Sequence, residues 1–289
     1  MKLTDKVHLL KVDFEIILGP ELRLPRFVNV LMIFGDMITV IDTGIKGSEG
    51  KIFAYIEDYG RKYSKIASII LSHSHPDHIG SAAKIKELTG CEVLAHRDEV
   101  GWIEDIETQN CDRPVPGFFN LVDRPVKVDR FLSDGQILKT DGDVTLKIIH
   151  SPGHSKGSLN ILFVEDEILF TADSIPLKND IPNYDDYSSL VKSLGRIGEN
   201  NDYNMLLTSW TPPLTNAAEM RNLISEGRDY MSRLDEAVKK SYIGKESEPL
   251  SFCRSAVRLL GLPPFHVNPV VDRAFRSHLK SQIITDDIN

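Results

Sequence analysis

The stretch that most restricts what this chain can become is Ser72-His73-Ser74-His75-Pro76-Asp77-His78. It follows Ile66-Ala67-Ser68-Ile69-Ile70, an apolar run that reads as a buried strand, and precedes a helical pattern that Gly90 closes. Strand ends that turn into helices are where α/β folds place ligand sites. His73 and His75 alternate, so an extended backbone points both to one side. Asp77 and His78 sit on the turn into the helix and can face a second metal. Imidazole with carboxylate suits zinc, and also iron or manganese.

The rest of the chain supplies a layered α/β frame. Three apolar runs open it: 7–18, 27–34 and 37–44, with Phe34-Gly35-Asp36-Met37 as a hairpin turn. Ile52, Tyr55, Ile56 and Tyr59 recur at helical spacing, and Ser48 stands where a cap would. A strand is expected over 91–96, and three more over 143–151, 158–165 and 167–173. A helix follows near 185–200, then a last strand at 203–210. Alternating strands and helices argue for an α/β layer structure. Residues 97–130, with Pro114, Pro116 and Pro125, read as a long irregular loop. From Asn216 the pattern becomes helical, with three helices expected. The expected domains are therefore 1–215 and a helical extension over 216–289, which is either a cap or a homodimer surface.

Two distant residues have the right chemistry. His154 lies on the Gly-rich turn Ser151-Pro152-Gly153-His154-Ser155-Lys156-Gly157, and Asp173 ends the apolar strand Phe170-Thr171-Ala172. Alone, His154 reads equally well as a solvated loop residue and Asp173 as a helix cap.

Taken together, these motifs resemble the metallo-β-lactamase fold superfamily. The HxHxDH signature is present as His73, His75, Asp77 and His78. The likeness extends to Asp42-Thr43-Gly44, to the turn at His154 and to Asp173, over roughly residues 8–212. It implies a four-layer αββα sandwich. It also implies that His73, His75 and His154 hold one metal, and that Asp77, His78 and Asp173 hold a second, with Asp173 bridging. Hydroxide held there would be the nucleophile of a hydrolase, with Asp77 as the catalytic residue that orients it. Asp42 would orient a ligand from behind. The cofactor would be zinc, or iron or manganese, with one or two ions per chain.

One departure stands out. The family usually supplies a further His after the last core strand, where this chain reads Leu207-Thr208-Ser209-Trp210. The second metal would then bind weakly, be completed from elsewhere with His266 as the candidate, or be missing. His8, His96, His150 and His278 read as ordinary strand, loop or surface residues. Trp102, Phe118, Phe119, Tyr184 and Trp210 are candidates for an apolar substrate pocket.

Composition narrows the function. With a net charge of −8, the chain repels phosphate backbones, so nucleic acid is not an expected partner. Cys91, Cys111 and Cys253 lack CxxC spacing, which argues against a thiolate metal site. No apolar leader and no membrane-length run is present, so a cytoplasmic protein with no membrane contact is expected. The expected function is hydrolysis of an ester-like bond (thioester, lactone or other ester) in a small-molecule substrate. The alternatives are a mononuclear iron sulfur dioxygenase and a catalytically weak binding or regulatory member.

Overall fold

The computed structural model describes residues 1–17, 22–244 and 248–279. The chain divides into two compact units. The first comprises 1–150, 157–172 and 202–215, and the second comprises 151–156, 173–201 and 216–289. The last change of unit along the chain thus falls after residue 215. The turn of His154 and residues 173–201 group with the C-terminal helices rather than with the sheets.

The first unit holds both sheets. Strands β1 (Val7–Ile17), β2 (Arg23–Phe34), β3 (Ile38–Ile41), β4 (Ile66–Ile70), β5 (Glu92–His96) and β6 (Arg130–Leu132) form one sheet in that order. The first three pair antiparallel and β3 to β6 pair parallel. Strands β7 (Ile137–Lys139), β8 (Thr145–His150), β9 (Leu159–Phe163), β10 (Ile168–Phe170) and β11 (Met205–Leu207) form the second sheet. Its β10–β11 pair is parallel and its other pairs are antiparallel.

Alternation along the strands explains the layering. Leu31, Ile33, Ile41, Ile70 and Leu94 pack with Leu146, Ile148, Ile161, Phe163 and Phe170 of the other sheet. Their neighbours Val30, Met32, Val40, Ile69 and Val93 pack on the opposite face with Ile52, Ile56, Ala82 and Ile85 from helices. A period of two thus gives the first sheet two buried faces. Those helices are α1 (Glu49–Asp58) and α3 (Ala82–Thr89), with the short α2 (Pro76–Ile79) between them. The two sheets with flanking helices are the sandwich implied by the sequence.

Some local expectations differ. Ser48 makes no capping bond through its side chain. Instead the hydroxyl of Ser81, at the start of α3, accepts the N–H groups of Ser48 and Glu49. Residues 97–130 are not structureless, because α4 (Val100–Ile103), α5 (Ile106–Asp112) and α6 (Phe118–Leu121) lie within them.

The second unit contains α7 (Tyr187–Glu199), α8 (Ala217–Ser241), α9 (Ser251–Leu260) and α10 (Pro269–Arg276). Asn216 and Asn268 cap α8 and α10 through their side chains. Met220, Ile224, Met231, Leu234 and Val238 form the buried stripe of α8 at helical spacing. Residues 280–282, expected to end the third helix, lie outside the described residues. Among the described residues no helix is long and apolar enough to cross a membrane.

Candidate metal centre

The parallel pairing of β3, β4 and β5 sets their C-terminal ends side by side, and the chemistry begins there. Asp42 follows β3 and Ser72 follows β4. Pro76 takes the first position of α2, where its missing N–H leaves no bond unmade. Asp77 and His78 therefore fall in the first turn, and the His78 carbonyl is tied to Thr43 through both N–H and hydroxyl, each at 2.8 Å.

Asp42 organises this stretch. It is fully buried, with φ of 58°, a left-handed conformation that Asp tolerates better than most residues. Its Oδ1 accepts the Ser72 N–H at 2.8 Å, and its Oδ2 accepts the Ser72 hydroxyl at 2.7 Å. The same Oδ2 lies 2.9 Å from His78 Nδ1. A carboxylate only accepts, so His78 carries its proton on Nδ1 and presents Nε2 as a ligand. The Ser72 hydroxyl has spent its one hydrogen on Asp42, so towards His73 Nδ1, 3.0 Å away, it accepts. His73 is thereby also fixed with Nε2 as its ligand atom. One carboxylate sets the tautomer of two histidines.

Ser74, between His73 and His75, is held from the far side. Its N–H donates to Glu99 Oε2 at 2.8 Å, and its carbonyl accepts from Gln109 Nε2 at 2.7 Å. Glu99 Oε1 accepts the N–H of Gly157. Glu99 and Gln109 are both buried. Neither was singled out from sequence, because both lie in the stretch that reads as irregular loop. Only their burial reveals them, and burial follows from tertiary packing.

His154 is placed by its turn. Gly153 has φ of 134°, and a Cβ there would lie 2.3 Å from the Leu190 backbone on α7. Only glycine fits this approach. The Gly153 carbonyl accepts the N–H groups of Asp185 and Asp186, and the His154 carbonyl accepts from Asp185 at 3.2 Å. Asp185 in turn pairs with Arg273 of α10 at 3.1 Å. His154 Nε2 lies 3.3 Å from Asp173 Oδ2.

His73, His75, His154 and Asp173 are all buried, and each offers one ligand atom within 4.8 Å of the others. Burying such polar groups together is costly unless they are bonded or hold an ion. Three imidazoles and a carboxylate are a donor set that suits a transition-metal ion. Asp77 and His78 fall outside that tightest group. The His78 ring lies 4.0 Å from the His73 ring, and its Nε2 lies 3.6 Å from Asp77 Oδ2.

The family description "Metallo-beta-lactamase superfamily" matches residues 23–210, well over half of the chain. The chain belongs to the metallo-β-lactamase superfamily. A metallo-β-lactamase family protein of Thermus thermophilus superposes with a TM-score of 0.74 at 18% identity, over 97% of this chain and 95% of that one. A β-lactamase domain protein of Burkholderia ambifaria gives 0.73 at 18% identity, over 99% and 88%. Among curated relatives, a hydroxyacylglutathione hydrolase of Rhizobium etli is 31% identical over 42% of this chain and 38% of its own length. The hydroxyacylglutathione hydrolase GloC of Haemophilus influenzae is 27% identical over 54% and 70%. The match to the Rhizobium protein thus spans well under half of that relative.

The remaining site candidates of this superfamily member are placed as follows. Trp210 packs beside Phe14 and sets its ring 6.4 Å from that of His78. Asn29 holds its turn by donating to the carbonyls of Thr208 and Thr211. His266 is buried, its Nδ1 on the Pro263 carbonyl, and belongs to neither ligand-type group among the described residues. Phe118 is a core side chain of the first unit. Phe119 is exposed, and Trp102 donates to Asp112. Tyr184 is buried with its hydroxyl 2.6 Å from His278 Nε2. Of these aromatics, Phe118 and Tyr184 are thus buried side chains.

Proposed function

We propose that this chain is a metal-dependent hydrolase of ester-like bonds in small molecules, with acyl thioesters as its first substrate class. The observation that carries the reading is the buried meeting of His73, His75, His154 and Asp173. The two relatives named hydroxyacylglutathione hydrolases support the thioester preference. His73, His75 and His154, with Asp173, would hold the metal, zinc before iron or manganese. A bound divalent ion supplies Lewis acidity and lowers the pKa of water from 15.7 to about 7.

The chain's own residues do the rest. Asp42 keeps Nε2 of His73 and His78 unprotonated, through Ser72 and directly. Glu99 and Gln109 fix the backbone between His73 and His75, so the imidazoles need little reorganisation when they ligate. Asp77, partly exposed and beside His78 Nε2, can take the proton of the attacking water.

Metal analysis of the purified protein tests this. At least one equivalent of a transition metal is expected, lost in His73→Ala and His154→Ala together with thioesterase activity. Full activity in metal-free protein would refute the reading. A second reading, a single-iron sulfur dioxygenase, is favoured by one observation. Trp210, which with Ser209 falls about where the family resemblance calls for another imidazole, sets an indole near His78. Oxygen uptake with a persulfide under iron loading, without thioester hydrolysis, would select it.

A further inference from the structure

A second set of ligand-type side chains gathers away from these residues. His96 closes β5 and His150 closes β8, so the fold brings together two imidazoles from different sheets. Their rings stack with centroids 4.2 Å apart and 8° between planes. Asp98 brings Oδ2 to 3.7 Å from His96 Nδ1. One ligand atom from each of His96, Asp98 and His150 lies within 4.8 Å of the others.

The surroundings suit a cation. The carboxylate of Asp134 accepts the backbone N–H of His150 at 2.7 Å and adds negative charge beside the rings. The guanidinium of the neighbouring Arg97 packs over the Phe131 ring. Residue 157 is glycine, and a Cβ there would come within 2.7 Å of His96 Nδ1. Burial, then the neighbouring His150, holds the His96 imidazole below its ordinary pKa, so near neutral pH it is in the neutral form that ligates metal. Asp98 is exposed, which leaves the group open to solvent ions.

We propose that His96, Asp98 and His150 form a second, peripheral transition-metal site, suited to zinc and distinct in its residues from the primary group. Imidazole and carboxylate donors with open positions for water match such an ion. Two stacked rings lie in parallel planes and cannot both aim a lone pair at one ion. One ring must turn about χ2, a broad torsion for His, and the stack breaks as the ion enters.

Zinc titration of the metal-loaded protein, by calorimetry and by anomalous diffraction at the zinc edge, tests the site. The wild type is expected to bind one further equivalent, with a density peak between His96, Asp98 and His150. That equivalent is lost in His150→Ala and in His96→Phe, which keeps an aromatic ring in the stack, while hydrolysis is unchanged. Asp98→Asn, at an exposed position that leaves folding intact, must also lose it. No further equivalent in the wild type, or one that survives these substitutions, overturns the proposal.

Discussion

Residues 72–78 and residues 151–156 both carry candidate metal ligands, and buried carboxylate and amide side chains contact the first stretch where backbone N–H groups of a neighbouring segment contact the second. Around 72–78, the buried groups of Asp42, Glu99 and Gln109 reach in from three separate segments. Around 151–156, the bonds run between the Gly153 and His154 carbonyls and the N–H groups of Asp185 and Asp186, with the Ser193 hydroxyl on Pro152. Charged support comes there from the Asp185–Arg273 pair, whose arginine is about a third exposed. Charge and hydrogen-bond identity therefore matter at the first stretch, and the close approach at Gly153 matters at the second. The first should be sensitive to isosteric substitutions that alter charge, the second to substitutions that add a single methyl.

The largest effect is expected at Asp42. Asp42→Ala strands the Ser72 N–H and His78 Nδ1 in the interior. It should cost about 3–5 kcal/mol of stability, read from denaturant unfolding. Asp42→Asn keeps shape and tolerates the positive φ, yet should weaken metal binding roughly 10- to 100-fold by releasing the tautomers of His73 and His78. Asp185→Asn is the matched change on the other side and should do far less. Equal losses in a metal-competition assay would break the distinction.

Next comes Gly153→Ala. The added Cβ meets backbone, which cannot swing aside as a side-chain tip can, so the turn carrying His154 must move. A loss of about 1–3 kcal/mol is expected together with weaker metal binding. Native-like metal affinity would show that the approach to Leu190 does not place His154.

Glu99→Gln should be milder. It leaves one carbonyl oxygen for two N–H groups and turns an amide donor towards Ser74 or Gly157. Metal affinity should fall by about tenfold, with little change in unfolding midpoint. Arg273→Ala should cost only about 1 kcal/mol, because solvent screens the exposed guanidinium, and Arg273→Lys should recover most of it.

The last effect concerns pH. Burial pushes the His278 imidazole down to about 4, although Asp235, 3.0 Å from Nδ1, pulls it the other way. The folded state thus binds fewer protons than the unfolded chain between pH 6.5 and about 4. Stability from this group is complete above 6.5 and is lost as pH falls towards 4. Melting temperature should decline across that window, and His278→Asn should flatten part of the slope. Asp235 is held below its ordinary value, so its contribution is lost only at lower pH.

Much of this was legible in the chain. The strands with period-two apolar alternation, the helix closed by Gly90 and the three C-terminal helices are local patterns, and they appear where the residues predict them. So do the backbone positions of His73, His75, Asp77 and His78 at a strand end. What could not be read depends on residues far apart in sequence. Glu99 and Gln109 sit among Pro-rich punctuation that obscures short helices, and their role requires Ser74 as a neighbour. Ser81 rather than Ser48 caps α1, because the cap crosses from another element. β6 and β7, at three residues each, are too short to show a period. His96 and His150 look ordinary singly, and only the closing of two sheets makes them a pair.

The order of the ligands along the chain has a consequence in time. The first sheet is complete by residue 132, with His73 and His75 already at the end of β4. His154 and Asp173 leave the ribosome later. At synthesis rates of roughly 5–20 residues per second, the intervening hundred residues take on the order of 5–20 s. Until His154 is made a nascent chain carries two of these four residues, and from then until Asp173 three of them. The four residues of the proposed metal group are therefore all present only once residue 173 has been made, and a chain stalled before it would present its histidines without that carboxylate.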